Sequence, residues 1–200
     1  MIINMSGLRL DRVLVPLFIT LLFLFSCTPA DQPVSPPPAR SQAGPAQLAT
    51  LMVTSAAFAD NGTIPVLFTC KDQNMSPPLS WGTLPEGTKS LALIMHDPDT
   101  PRGTLTHWVV FNISPGLEGL PQAIKEEAAQ GFLQGTNTFG KVGYNGPCPP
   151  AGSRHRYQFY FYALDSMLAL EAGAAESQVV DAMQGHLLGR GLLTGLFGNP

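Results

Sequence analysis

Two stretches of this chain gather side chains able to hold anions or move protons. The first is His96-Asp97-Pro98-Asp99-Thr100-Pro101, followed by His107-Trp108. Asp97 closes an apolar run and is pinned against prolines that fix φ. Rigid loops at strand ends are where chemistry tends to sit. A carboxylate there can take an ammonium or orient an imidazole. The structural alternative is an Asx-type turn, with Asp97 and Asp99 bonding nearby backbone amides. His107 opens an apolar strand, where a histidine is also commonly a satisfied core residue.

The second stretch runs from Gly143 and Tyr144 through Gly146-Pro147-Cys148-Pro149-Pro150 to His155-Arg156-Tyr157. Its prolines and glycines shape a low-entropy loop that feeds an aromatic strand. If that strand begins at His155, a period of two puts His155 and Tyr157 on one face and Arg156 on the other. An imidazole and a phenol side by side are two donors suited to a phosphate or carboxylate oxygen. The structural alternative is a Pro-rich turn leading to a core tyrosine.

The elements that must position these groups are mostly strands. Short runs rich in apolar or aromatic residues occur at 49–58, 66–69, 90–96, 107–113 and 157–164. Asn61-Gly62, Ser76-Pro77-Pro78, Pro85-Glu86-Gly87 and Asp97-Pro98 punctuate them. Residues 157–164 are aromatic at odd and even positions alike, which suits a strand covered on both faces. One helix is expected over 176–188, where Val179, Val180, Met183 and Leu187 form an apolar stripe and Gly189 and Gly191 provide a stop. A second, short helix is expected over 121–129. Strand spacing without βαβ alternation predicts an antiparallel β-sandwich with peripheral helices.

The 200 residues are 44% hydrophobic and 12% charged, with a formal net charge of −3. That balance excludes a largely disordered chain. It also supplies no excess of Lys and Arg to neutralise phosphate backbones, so nucleic acid is not an expected partner.

Arg9 and Arg12 precede an apolar stretch, 13–25, that is shorter than the ~20 residues of a membrane-spanning helix and matches a signal-peptide core. It ends at Leu24-Phe25-Ser26-Cys27, which resembles the bacterial lipobox, with Cys27 as the lipidated residue. Ordinary secretion and an uncleaved anchor are the alternatives. Residues 28–47 are studded with prolines that favour polyproline II geometry, a spacer reaching roughly 50 Å. The expected organisation is a leader (1–27), a Pro-rich linker (28–47) and one domain (48–200). The expected address is the bacterial cell envelope, exported and held to a membrane by the N-terminal lipid.

Cys70 and Cys148 are then left in an oxidising space, where they either form a bridge or stand as two reduced thiols.

Taken together, Asp-Pro-Asp-Thr-Pro, His107-Trp108-Val109-Val110, Gly-Pro-Cys-Pro-Pro and His155-Arg156-Tyr157 resemble the phosphatidylethanolamine-binding protein family, in its bacterial Raf kinase inhibitor-like branch. Phe68-Thr69-Cys70, Asn74-Met75-Ser76-Pro77-Pro78-Leu79-Ser80-Trp81, Gly87-Thr88-Lys89-Ser90-Leu91-Ala92, Ala182-Met183-Gln184-Gly185-His186 and the closing 193–197 stretch extend the likeness. The resemblance implies a Greek-key antiparallel β-sandwich with a small anion-accepting pocket at one end. It places Asp97, His107, His155 and Tyr157 in that pocket. Gly146, Pro149 and Pro150 would form a wall, with Asp99 and Tyr144 in support. Asn137-Thr138-Phe139-Gly140 stands where bacterial relatives carry Asn-Asp-Phe-Gly, so a supporting hydrogen bond is expected to be missing there. Thr100 replaces a frequent Ala.

The expected function is non-catalytic binding of a phosphate-bearing or other small anionic ligand. The alternative is an inhibitor or regulator docking on a partner enzyme, and a phosphohydrolase is the third reading. No Gly-x-Ser-x-Gly elbow, His-Glu-x-x-His or Walker-type loop occurs. Asp97, Asp99, His107 and His155 lack the compact spacing of structural zinc ligands, so no metal or cofactor is expected. His96 is expected on the opposite strand face, His186 on the helix, and Trp81 and Trp108 in the core. Arg154 and Arg156 flank the pocket.

Overall fold

The computed structural model describes residues 47–125 and 131–198. The leader, Cys27 and the linker up to residue 46 lie outside the described residues. In chain order the elements are β1 (Ala49–Thr50), β2 (Val53–Thr54), β3 (Gly62–Thr63), a 3-10 turn at Val66–Phe68 and β4 (Leu79–Trp81). The long strands β5 (Ser90–Asp97) and β6 (Leu105–Ile113) follow, then the two-residue β7 (Gly119–Leu120) and β8 (Leu133–Gln134). After them come β9 (Arg154–Leu164), the helix α1 (Glu176–Met183) and β10 (Leu187–Gly198).

These make a seven-stranded sheet in the order β1-β10-β9-β5-β6-β8, with β3 also on β10, and a three-stranded sheet β2-β4-β7. The central strand β5 is an unbroken apolar run because both of its faces are covered. Its alternation divides two cores. Leu91, Leu93 and Met95 join Trp108, Val110, Phe159 and Phe161 with Val53, Leu79 and Leu120 of the small sheet. Ala92 and Ile94 join Val109, Phe111, Val179 and Met183, on the side covered by α1. Each large apolar side chain so buried contributes about 1.5–3 kcal/mol.

The mostly β sandwich agrees with expectation, and its details differ in physically readable ways. The sheet is mixed, since β1 and β3 both pair parallel to β10. The stretch 49–58 is two short strands, not one, because the chain passes from the large sheet at β1 to the small sheet at β2. Residues 66–69 turn where a strand was expected. Pro65 sits at φ −58°, and its carbonyl and that of Val66 accept from Phe68 and Thr69 in 3-10 fashion.

The expected helix over 176–188 stops at Met183, and its last residues enter β10 instead. Gly189 and Gly191, expected to end the helix, lie inside that strand. A Cβ at either would fall within 2.9 Å of the Ala49 or Leu51 carbonyl, so their missing side chains let the parallel N-terminal segment approach. His186 therefore lies beyond the helix, its Nδ1 2.7 Å from Asp165 Oδ1 on the surface. Of the expected 121–129 helix, the described residues 121–125 are not helical, Ala123 taking φ +62°.

On β9, Tyr157, Phe159 and Phe161 are buried, whereas Gln158, Tyr160 and Tyr162 are half-buried, so one face is closed and the other only partly covered. Trp108 is buried as expected, and Trp81 is half-buried against the same core.

Candidate functional site

Three strands deliver the site to one end of the large sheet. Asp97 is the last residue of β5, His107 lies near the start of β6, and His155 and Tyr157 lie near the start of β9. β6 and β9 both run antiparallel to β5, on its two sides, so the end of β5 meets the starts of the other two. The pairing of β5 with β6 shifts register between Met95, opposite Trp108, and His96, opposite Thr106. His107 is the extra residue of that bulge. A bulge re-aims a side chain. It brings the His107 ring to within 5.3 Å of the Tyr157 ring, edge to face, while Trp108 still enters the inter-sheet core.

The four groups are nearly inaccessible to water: Asp97 is 3% exposed, His107 2%, His155 7% and Tyr157 0%. Asp97 Oδ2 lies 2.8 Å from His155 Nδ1. Its other oxygen, Oδ1, accepts from the Asp99 backbone N–H at 2.9 Å. The Asx turn and the carboxylate–imidazole pair, competing readings of Asp97 in the sequence, are therefore both present. With Nδ1 of His155 committed to Asp97, Nε2 is its remaining polar atom. His155 stacks along Tyr157, centroids 6.5 Å apart.

His107 is held differently. Its Nδ1 donates to the Asn145 carbonyl at 2.6 Å, and Asn145 N–H returns a bond to the His107 carbonyl. That fixes the neutral tautomer with Nε2 as acceptor. Among the described residues, neither the buried His107 Nε2 nor the buried Tyr157 hydroxyl completes a hydrogen bond, although the Gly146 backbone lies near the imidazole and Asp97 and the Cys148 backbone lie near the phenol. Burial holds the His107 imidazole below its ordinary pKa, with Asn145 and Asp97 pulling the other way. Burial first, and then the negative charge of Asp97, raise the Tyr157 phenol, which therefore stays protonated and able to donate.

The second loop is clamped from behind. Gly146 N–H donates to Asn74 Oδ1 at 2.7 Å. A Cβ on Gly146 would lie 2.5 Å from the Phe68 carbonyl, so only glycine fits. Cys70 and Cys148 are joined in a disulfide, and Cys70 N–H donates to the Pro147 carbonyl. Tyr144 donates to the Phe68 carbonyl at 2.7 Å and sets its ring edge-on to Trp108, in the supporting place expected of it; burial raises its pKa. Pro149 is buried, whereas Pro150 is exposed and its carbonyl accepts from Ser153 in the turn before β9.

Asp99 braces the first loop against β9. Its carboxylate accepts from the Arg156 backbone N–H at 2.8 Å and from the guanidinium at 2.6 Å. The Arg156 partner holds the Asp99 carboxyl below its usual range. Arg156 is thus tied to a carboxylate beside the cluster. His96 faces away, as expected, with Nε2 2.7 Å from Glu176 Oε1 on the α1 side.

Three contributors were not assigned from sequence. The Asn145 carbonyl sets the His107 tautomer, and no side-chain signal could have revealed a backbone acceptor. Asn74, at φ +54°, clips the loop. Phe139 places its ring 5.1 Å from that of His107. The bond expected to be missing at Thr138 is supplied by its own hydroxyl, which accepts from Thr106 N–H at 2.8 Å.

A two-sheet, mostly β domain with a buried His–Tyr–Asp cluster at one end of its large sheet defines the class. The family model described as phosphatidylethanolamine-binding protein matches residues 54–198. A UPF0098 protein of Methanothermobacter thermautotrophicus is 50% identical over 143 residues, covering 70% of this chain and 94% of the relative. Another, from Chlamydia muridarum, is 43% identical over 153 residues, with 74% and 98% covered. The crystal structure of a phosphatidylethanolamine-binding protein homologue from Chlamydia trachomatis superposes with a TM-score of 0.70 at 39% identity, covering 76% of this chain and 99% of its own. E. coli YbcL, described as a member of the mammalian family, superposes with a TM-score of 0.69 at 29% identity, over 75% and 99%. The chain belongs to the phosphatidylethanolamine-binding protein family.

Proposed function

We propose that this is a non-catalytic binding protein that takes a phosphate-bearing or other small anionic ligand at Asp97, His107, His155 and Tyr157. One observation carries the reading: the His107 and Tyr157 rings adjoin, and among the described residues neither His107 Nε2 nor the Tyr157 hydroxyl, both buried, completes a hydrogen bond. A buried polar atom left unpaired costs about 1–3 kcal/mol, a cost that a ligand oxygen between the two would relieve. Tyr157 donates to that oxygen. Neutral His107 offers a lone pair there, so it meets either the hydroxyl of a monoprotonated phosphate or, after taking up a proton, an anionic oxygen. The Asp97–His155 pair adds a third group, whose Nε2 is uncommitted.

Catalysis is not part of this reading, since the chain carries none of the nucleophile elbows or metal-binding helices named above. The domain works from the cell envelope, held by lipid on Cys27 at the end of a Pro-rich spacer. Replacing Cys27 by Ser would abolish incorporation of labelled fatty acid.

Calorimetric titration with ethanolamine phosphate tests the site. Binding weakens at least tenfold in Tyr157→Phe and His155→Ala, and strengthens from pH 8 to pH 6. Affinities that neither variant nor pH alters would overturn the assignment. Turnover of phosphomonoesters by the pure domain, lost in His155→Ala, would overturn the non-catalytic reading.

A further inference from the structure

The Asn145 carbonyl and the Gly146 N–H belong to one peptide group. Its oxygen accepts from His107 Nδ1 at 2.6 Å, and its N–H donates to Asn74 Oδ1 at 2.7 Å. The C=O and N–H of a planar trans peptide point in opposite directions. The His107 ring and the Asn74 side chain therefore grip a single plane from its two sides. The Cys70–Cys148 disulfide ties the segment carrying Asn74 to the one carrying Gly146.

The polarity of that plane decides where the His107 proton sits. A carbonyl only accepts, so the ring nitrogen facing it carries the proton. Turned over, the plane would present its N–H to the ring, and Nδ1 would have to be the bare nitrogen and Nε2 the protonated one. The adjoining residue is Gly146, whose backbone can absorb such a rotation at little steric cost. The flank occupied by Asn74 opposes it. A Cβ on Gly146 would run into both Asn74 Oδ1 and the Phe68 oxygen, so two oxygens already crowd that side. They favour an N–H there and disfavour a third oxygen. Gly146 is buried, so its N–H left without Asn74 would lack an acceptor on that flank.

We propose that Asn74 is a positioning residue that acts on His107 through the 145–146 peptide. It keeps the His107 proton on Nδ1 and leaves Nε2 the bare, acceptor nitrogen. Asn74 touches no atom of the imidazole, and its influence passes wholly through the shared plane.

Histidine ring 15N shifts, read through two-bond proton–nitrogen correlations at pH 8, report which nitrogen is protonated. The His107 signals are those lost in His107→Gln. The wild type is expected to show a protonated Nδ1 and a bare Nε2. Asn74→Gly tolerates the left-handed backbone at this position, φ +54°, and removes the acceptor. There an Nε2-protonated form of His107 is expected to appear, with the His96 and His186 signals unmoved. Asn74→Asp, whose carboxylate can only accept, should keep the wild-type tautomer. Its charge polarises the shared peptide and moves the Nδ1 proton resonance downfield, a readout that remains if Asn74→Gly does not fold. A protonated Nε2 in the wild type, an unchanged tautomer in folded Asn74→Gly, or an unmoved Nδ1 proton in Asn74→Asp overturns the inference.

One consequence rests on the anion-binding reading. With a proton already on Nε2, Asn74→Gly should bind ethanolamine phosphate without the proton uptake expected of the wild type. An inverted tautomer with uptake unchanged would remove the anion reading at His107 and leave the role of Asn74 standing.

Discussion

Nδ1 of His155 lies 2.8 Å from Oδ2 of Asp97, across 58 residues of sequence, in a pair almost wholly removed from water. Asp97 turns one oxygen to the imidazole and the other to the Asp99 amide, so one carboxylate both shapes its loop and orients its partner. Polar groups buried this deeply are costly once a partner is removed.

Replacing Asp97 by Asn tests that double duty. An amide can still accept from Asp99, but its NH2 then faces a ring nitrogen that had a carboxylate acceptor. Stability is expected to fall by about 1–3 kcal/mol, read as a lower denaturant midpoint at unchanged slope. Combined with His155→Gln, the two effects are not additive, because the second change removes the group the first one strands. Additivity would mean that the pair is not coupled.

The depressed pKa of His107 predicts acid sensitivity of the unliganded domain. A histidine whose folded pKa lies below its unfolded value of ~6.5 binds fewer protons when folded. Its contribution is therefore complete above about pH 6.5 and is lost as pH falls toward the folded pKa. Denaturant midpoints measured between pH 7.5 and 5 should drop more steeply for the wild type than for His107→Gln. Glu176, held low chiefly by its bond to His96, keeps its contribution above its ordinary value of 4.5 and loses it only at lower pH. A bound phosphate reverses the His107 penalty, so binding near neutral pH is accompanied by proton uptake, visible as a dependence of calorimetric heat on buffer ionisation enthalpy. Equal slopes for the wild type and His107→Gln would remove this account.

The disulfide and the site share a loop. Cys70 and Cys148, 78 residues apart in sequence, close a long loop in the unfolded chain, a constraint that typically stabilises by about 2–4 kcal/mol. Converting both to Ser should lower the thermal midpoint accordingly. It should also weaken ethanolamine phosphate binding, since the segment carrying Asn145 and Gly146 loses an anchor. Dithiothreitol on the wild type should reproduce both effects. A midpoint and affinity indifferent to the bridge would show that the Asn74 and Tyr144 bonds hold the loop unaided.

How legible the molecule was in its sequence differs from element to element. The central strands were visible because their pattern is local: an apolar run bounded by turns at β5, and alternation at β9 that put His155 and Tyr157 on one face. Gly189 and Gly191 misled, since the same residue that ends a helix also lets a parallel strand approach, and only the neighbour decides between the two. Residues 66–69 are apolar enough for a strand, but Pro65 and the Thr69 hydroxyl favour a turn. Thr138 looked like a lost bond because its replacement acceptor, a hydroxyl, acts on an amide 32 residues away.

What the amino-acid order determined unaided is the mostly β domain and the two polar segments, because residue type and short-range period encode which groups are available and which way a strand faces; the resemblance to a known family then singled out four side chains within them. The tertiary structure decided the rest. A one-residue bulge turns His107 toward Tyr157 when simple alternation would have set it opposite Trp108. A backbone carbonyl at Asn145 selects its tautomer, and packing leaves Nε2 and the Tyr157 hydroxyl without a completed hydrogen bond among the described residues. Register, tautomer and satisfaction are relations between distant parts of the chain, and a local pattern carries no trace of them.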